Sequence, residues 1–383
     1  MKQTPTKLTK EEMTRYSRHL LLPEVGISGQ EKLKNARVLM IGVGGLGSPA
    51  SLYLAAAGVG TLGLVEFDTV DTTNLQRQII YRDNDKGRPK ITAAAASLRG
   101  LNPTLAIEEF HEPFGEGNGL DLARRFDVII DGSDNFVTRY LVSDSCVLAD
   151  KPYIYGSIFR FEGQASVFWA GKGPCYRCLY PAAPEAHQVP SCAEGGVLGV
   201  LPGLIGIVQA TEAIKVITGI GEPLIGRLLT YDALAMTFQT FKMKANPTCP
   251  ACGAKRTITK LERATESCSS VSQSASASVT EWDCQKLSRT LRNQADLLLI
   301  DVRSENERKI CHIEGDQHIP LDDLPARLLE LAAKGPVVFY CKSGIRSQRA
   351  AALAVAAGLT DVASLQGGIL AWIKTIDPSL VSY

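Results

Sequence analysis

Cys341 closes the apolar run Val337–Tyr340 and is followed by Lys342, Ser343, Gly344, Ile345, Arg346 and Ser347, where an Ala-rich helical pattern over Arg346–Ala357 begins. A thiol in a loop between a strand and a helix N-terminus meets free backbone N–H groups and the positive end of the helix dipole. With Lys342 and Arg346 beside it, the spacing predicts a stabilised anionic sulfur, the form that attacks. A cysteine phosphatase needs its arginine after five intervening residues; Ser347 holds that place and Arg346 comes one too early, which argues against that chemistry. Cys175 and Cys178, and farther along Cys249 and Cys252, form two Cys-x-x-Cys pairs. Four thiolates close a tetrahedral site with no open position, so the pattern favours structural Zn²⁺ over two unrelated core pairs or a redox dithiol. Cys192 sits in Pro190-Ser191-Cys192-Ala193-Glu194-Gly195-Gly196, a glycine-bearing loop without a metal-binding companion, where a thiol is free to move and react. Cys146 reads as core, and Cys268, Cys284 and Cys311 belong to no constellation. None of the five histidines is placed as a ligand or base.

A second chemistry begins at Gly42-Val43-Gly44-Gly45-Leu46-Gly47, between the apolar run Arg37–Ile41 and a helical stretch over Ser48–Ala57. G-x-G-x-x-G between strand and helix lets the backbone approach phosphate and presents the helix N-terminus to it. Glu66 ends the next strand, at the distance where an acidic residue holds a ribose hydroxyl, and Asp68 lies two residues on. Asn74, Arg77 and Lys90 follow; two cations near the phosphates suit a triphosphate that is to be cleaved better than a dinucleotide. Asp134 and Asn135 come after the run Phe126–Ile130, at the carboxyl edge where open α/β sheets bind ligands, and Asp134 offers oxygen to Mg²⁺. Taken singly, Arg77 and Lys90 read equally well as solvated charges and Asp134 as a helix N-cap; their joint placement favours a site.

These residues need strands alternating with helices to hold them. Apolar runs at Arg37–Ile41, Thr61–Phe67, Leu105–Phe110 and Phe126–Ile130 alternate with helical stretches such as Ile91–Arg99, which predicts an α/β, Rossmann-like doubly wound sheet, mainly parallel. Leu297–Val302 and Val337–Tyr340 read as buried strands of a second, smaller α/β domain. Thr265–Thr280, rich in Ser, Ala and Thr, separates the two, giving a larger first domain over 1–256, a linker over 257–280 and a smaller second domain over 281–383. At 383 residues, two cores are expected. Lys plus Arg (41) balances Asp plus Glu (40), so no overall field draws nucleic acid or an anionic membrane. The stretch Val197–Ala210 reads as a buried segment too short to span a bilayer. The polar segment Met1–Arg18 lacks the pattern of a secretory signal, and ten cysteines without an export signal fit reduced thiols in a cytoplasmic protein.

The motifs Gly42–Gly47, Asn74-Leu75-Gln76-Arg77-Gln78, Gly87-Arg88-Pro89-Lys90 and Asp131-Gly132-Ser133-Asp134-Asn135, in this order, resemble the E1-like adenylyltransferases of molybdopterin and thiamin synthesis. The resemblance implies that Gly45, Glu66, Thr73, Asn74, Leu75, Gln76, Arg77, Lys90, Asp134 and Asn135 bind Mg-ATP. Glu66 stands where Asp is usual. It also implies a homodimer in which Arg18, of Arg15-Tyr16-Ser17-Arg18, reaches the ATP of the other subunit; read locally, Arg18 is a charge near a helix capped by Thr9 and Glu12. The four paired cysteines match that family's zinc site. Asp301-Val302-Arg303-Ser304-Glu305-Asn306-Glu307, the Cys341 loop and Gln366-Gly367-Gly368-Ile369-Leu370-Ala371-Trp372 resemble a rhodanese domain, in which Cys341 would carry a persulfide charged from a persulfide or thiosulfate donor. Glu314–Pro320 departs from that family's usual wording.

The function so implied is ATP-dependent adenylation of the C-terminal glycine of a ubiquitin-like sulfur-carrier protein ending in Gly-Gly, then sulfur transfer from Cys341 to give a thiocarboxylate. Fusion raises the local concentration of donor sulfur. Cys192 is implied either to form a thioester with the carrier or to resolve an acyl-disulfide with Cys341. The resemblance leaves open molybdopterin, thiamin, cysteine or tRNA as the destination. Two other readings compete: an activating enzyme that conjugates a ubiquitin-like modifier through a Cys192 thioester, and a non-enzymatic dinucleotide-binding redox sensor using Cys341.

Overall fold

The computed structural model describes residues 5–183, 195–262, 279–293, 296–331 and 335–383. The chain divides into two compact units, Met1–Ser269 and Ser270–Tyr383. In the first, β1 (Arg37–Ile41), β2 (Thr61–Val65), β3 (Ala106–Phe110), β4 (Val128–Asp131), β5 (Tyr153–Phe159), β6 (Glu162–Phe168), β7 (Arg227–Asp232) and β8 (Thr237–Lys242) form one sheet in the order β3-β2-β1-β4-β5-β6-β7-β8. The pairings from β3 through β5 are parallel and those from β5 through β8 antiparallel.

Alternation along β1 shows why the sheet is covered on both faces. Val38 and Met40 join one apolar cluster with Leu33 and Leu54, whereas Leu39 and Ile41 join another with Leu122 and Phe126. Helices Gly47–Ala57, Lys90–Leu101 and Leu201–Thr218 cover the first face; Gly119–Arg125 and Phe136–Ala149 cover the second. All these strands point their carboxyl ends, from β2 across β1 to β4, at one edge.

The apolar stretch expected over Val197–Ala210 differs from the structure at both ends. Leu198 and Val200 are exposed, and the helix runs from Leu201 to Thr218, with Pro202 in its first turn where no N–H is needed. Its 18 residues make it long and apolar enough to cross a membrane by length and composition, but half of it is buried against the sheet and the helix Gly47–Ala57, so it serves here as a core helix. Both ends of the expected linker are also structured. Thr257 and Ile258 donate to the Pro250 carbonyl at 2.9 and 3.1 Å, and Thr280 pairs with Ala363.

In the second unit β9 (Thr280–Trp282), β10 (Leu298–Asp301), β11 (Gln317–His318), β12 (Val337–Tyr340) and β13 (Val362–Leu365) form a parallel sheet in the order β11-β10-β12-β13-β9. Asp301 at the end of β10 takes Arg303 Nε and Nη2 at 2.8 and 2.7 Å, both side chains wholly buried. Arg303 Nη2 also donates to the Cys311 carbonyl at 2.8 Å and so ties the turn after β10 to the far end of the helix Glu305–Ile310.

Candidate active sites and metal centre

At the carboxyl edge of β1, β2 and β4 lies a cavity of about 460 Å³, the place where open α/β sheets bind ligands. Its floor is the glycine loop. Gly42 has φ +78°, and a Cβ on Gly47 would stand 2.1 Å from the Gly42 carbonyl, so the loop can fold back on itself only with glycine at that position. Glu66, 7% exposed, fixes the loop from the side. Its Oε2 accepts the Val43 N–H at 3.1 Å, and its Oε1 accepts Phe67 and Asp68 N–H at 2.9 and 3.1 Å. The Tyr81 hydroxyl donates to the Val43 carbonyl at 2.8 Å from within the core.

Of the residues expected to bind nucleotide, Gly42, Gly44, Gly45, Glu66, Arg77, Lys90, Asp134 and Asn135 line this cavity. Lys90, 6% exposed at the start of its helix, pairs with Asp68 at 3.1 Å. Arg77 donates to the Thr73 carbonyl at 2.9 Å, and the Asn74 carbonyl accepts the Arg77 and Gln78 N–H groups. Thr73, Asn74, Leu75 and Gln76 therefore stand behind the cavity and shape the turn that presents Arg77. The helix N-cap falls to Asn135, whose Oδ1 accepts the Thr138 N–H at 2.8 Å, and not to Asp134, which is exposed. Arg18 is exposed on the short helix Ser17–Leu20 and does not line the cavity. Cys192 lies outside the described residues.

Asp68 and Gln78, which the sequence placed beside the site without a role, also line the cavity, and so does Arg139, which was not singled out from the sequence. Arg139 follows the N-cap Asn135 by one turn and is a charge between the apolar positions Val137 and Tyr140–Val142, which is the signal that marks it. It is 7% exposed, and its guanidinium lies 5.3 Å from the Phe136 ring centre and 5.9 Å from that of Tyr155. Beneath it, burial pushes the Asp131 carboxyl up against the opposing pull of Arg139, Ser133 and Tyr153.

The four paired cysteines come together. Sγ–Sγ distances are 3.9 Å for Cys175–Cys178, 3.5 Å for Cys175–Cys249 and 3.4 Å for Cys178–Cys252, and all four sulfurs lie within 4.8 Å of one another. Four thiolates bound to one metal at about 2.3 Å stand roughly 3.8 Å apart at tetrahedral angles, so this set can hold a metal ion.

In the second unit Cys341 is fully buried at the end of β12. The Gly344 N–H points at its Sγ at 3.1 Å, Gly344 having φ +103°, and the Ser347 hydroxyl lies 3.6 Å from the same sulfur. Gly368 comes so close that a Cβ would stand 2.4 Å from the Cys341 carbonyl, which explains the Gly367-Gly368 pair. The cations flanking the thiol are engaged. Arg346 forks onto Glu307 with two bonds of 2.7 Å, and the Lys342 ammonium lies 4.6 Å from the Tyr383 ring centre. Arg346 is thus held beside the thiol by Glu307, and the donors shown on the sulfur are the Gly344 backbone N–H and the Ser347 hydroxyl. In the divergent stretch, His318 Nε2 donates to the Arg303 carbonyl at 2.8 Å, and Asp316 takes Arg308 and the Tyr340 hydroxyl.

Known proteins share this layout. The ThiF family matches residues 16–251 and the rhodanese-like domain residues 284–375. The probable adenylyltransferase/sulfurtransferase MoeZ of Mycobacterium tuberculosis is 48% identical over 384 residues, covering 98% of this chain and 96% of its own. The chain belongs to the adenylyltransferase/sulfurtransferase family. Within that family, the adenylyltransferase and sulfurtransferase MOCS3 of Bos taurus is 40% identical over 98% of this chain and 89% of its own. The crystal structure of E. coli MccB with MccA-N7isoASN aligns over 63% of this chain and 74% of its own with a TM-score of 0.56; at 24% identity the likeness is one of fold.

The Glu307–Arg346 pair braces the sulfurtransferase loop and carries a pH signature. Burial pushes the Glu307 carboxyl up, but Arg346 and Ser304 outweigh it and hold it at about 2. A carboxyl depressed on folding contributes stability above its unfolded value near 4.5 and loses it as pH falls toward 2. Glu307→Gln is expected to destabilise the second unit by on the order of 3 kcal/mol at neutral pH. Denaturant unfolding of the two proteins should show that difference shrinking between pH 4.5 and about 2; a constant difference would place the loss elsewhere.

Proposed function

We propose that the chain adenylates the terminal carboxylate of a ubiquitin-like sulfur-carrier protein ending in Gly-Gly and then transfers sulfur to it from a persulfide on Cys341. One observation carries the reading: a single chain holds both a cation-lined glycine-loop cavity and a buried thiol facing a backbone N–H at a helix start. In the first step a carboxylate oxygen attacks the α-phosphorus of ATP; the new O–P bond forms as the bond to the β-phosphate oxygen breaks, and pyrophosphate leaves with the electron pair. Gly44 and Gly45 let the backbone approach the phosphates, and Arg77 and Lys90 offset the charge that develops on the leaving group. Glu66 has spent three lone-pair positions on backbone N–H groups, leaving room on Oε2 for one ribose hydroxyl. Asp134 is exposed and lines the cavity, where its carboxylate would hold Mg²⁺, an ion that would supply further charge neutralisation on the phosphates. Arg18 reaches the cavity of a second protomer in this reading. The exposed apolar side chains Tyr53 and Ile207, which line a surface pocket with its neighbour His19, support a homodimer.

In the second step the terminal sulfur of the Cys341 persulfide attacks the acyl carbon, a C–S bond forms, and AMP leaves with the former acyl oxygen. A thiolate, in this reading Cys192, then attacks the Cys341 sulfur: the thiocarboxylate leaves with the electron pair, a disulfide forms, and a dithiol reductant restores both thiols. The sulfur donor to Cys341 is a persulfide or thiosulfate. Intact mass spectrometry of a Gly-Gly-ending carrier, incubated with the chain, Mg-ATP and thiosulfate or a persulfide donor, tests the sequence of steps. Oxygen-to-sulfur exchange that needs ATP and disappears in Cys341→Ala is expected; a carrier that is adenylated but never gains sulfur would refute the second step.

The cysteine cluster is proposed to hold structural Zn²⁺, since it offers only thiolates and no open position. Metal analysis is expected to find one zinc per chain. Cys249→Ser should lose the zinc and lower the melting temperature of the first unit; an unchanged metal content would assign the ion to other ligands.

A further inference from the structure

Arg139 is 7% exposed and lines the cavity, yet among the described residues its Nε has no hydrogen-bond partner and its Nη2 reaches only the Ser133 carbonyl, at 3.4 Å. The carboxylate beneath it is committed elsewhere: Asp131 Oδ1 accepts the Ser133 N–H at 2.8 Å and Oδ2 the Tyr153 hydroxyl at 2.7 Å. Phe136 and Tyr155 flank the guanidinium with ring faces, which hold a cation in place without neutralising it. A guanidinium taken out of water with a donor unused is costly unless an anion arrives to meet it, and its planar fork matches a carboxylate.

The sheet order decides which anion this is. Along the carboxyl edge, Glu66 and Asp68 follow β2, the glycine loop follows β1, Arg139 lies in the helix after β4, and Ile158 of β5 closes the wall. A nucleotide with its ribose at Glu66 and its phosphates on the glycine loop occupies the β2–β1 side. Arg139 faces the remaining β4–β5 side.

We propose that Arg139 receives the terminal carboxylate of the protein that is adenylated, its unused Nε and weakly engaged Nη2 forming the edge that binds it beside the α-phosphate. This rests on the adenylation reading above. Two anions must approach within bonding distance there, and a buried cation on the carboxylate side offsets their repulsion where solvent cannot.

The test compares the full-length chain with Arg139→Gln and Arg139→Lys, each loaded with a non-hydrolysable ATP analogue. Calorimetry measures binding of a Gly-Gly-ending carrier bearing either its free carboxylate or a terminal amide. Wild type is expected to favour the carboxylate form by about 10- to 100-fold. Arg139→Gln should bind both forms alike with its affinity for the analogue alone unchanged, and Arg139→Lys, which keeps the charge but loses the fork, should fall between. A merely structural role would weaken both carrier forms together and preserve the ratio, which would overturn the assignment. So would a loss of analogue affinity without carrier, which would place an α-phosphate on Arg139 instead. If Arg139→Gln does not fold, the Arg139→Lys ratio decides alone. Failure of the wild type to catalyse carrier-dependent ATP–pyrophosphate exchange would overturn the adenylation reading itself, and is thereby distinguishable from a preserved ratio in an active protein.

Discussion

Three backbone N–H groups converge on the buried carboxylate of Glu66, those of Val43, Phe67 and Asp68. A carboxylate taken out of water must be compensated, and charge-assisted bonds to main-chain donors do so while fixing main-chain positions. The bond to Val43 holds the glycine loop after β1. The bonds to Phe67 and Asp68 fix the turn after β2, from which Asp68 reaches Lys90. Floor, wall and one cation of the cavity thus depend on one side chain, and Glu in place of the usual Asp provides the longer arm that spans from β2 to the neighbouring loop.

The two units solve the same problem in the same way. Each ends a central parallel strand in a loop shaped by glycine that opens into a helix N-terminus, and each offers backbone N–H groups to an anion, phosphate in one and sulfur in the other. Each also keeps cations on internal partners, Lys90 on Asp68, Arg77 on a carbonyl and Arg346 on Glu307, with Arg139 the exception. Such internal partners hold the charges in place for the reaction, and an arriving anion competes for cations already oriented rather than recruiting them from solvent.

What could be read from the sequence were features whose cause is local. The run Val38–Ile41 is buried on both faces and so is apolar throughout; the glycine loop is short; Cys-x-x-Cys spacing survives any fold that brings the pairs together. The antiparallel half of the sheet was not legible. β8 is exposed along its whole length and carries no alternating pattern, and β5 through β8 complete a sheet whose parallel half alone shows the strand–helix rhythm. Arg139 escaped notice because its meaning depends on partners from β4 and β5, and the pairing of Arg346 with Glu307, 39 residues earlier, escaped notice for the same reason. Long-range pairing, not propensity, separates what was seen from what was missed.

The central claim is that the cavity braced by Glu66 binds ATP and activates a carboxylate on a carrier protein. Carrier-dependent ATP–pyrophosphate exchange, measured for the wild type and for Glu66→Gln, tests it most directly. The account predicts exchange by the wild type and a fall of at least about 10-fold in Glu66→Gln, whose amide nitrogen leaves one backbone N–H facing another donor. Exchange at an equal rate in both proteins, or in neither, would contradict it.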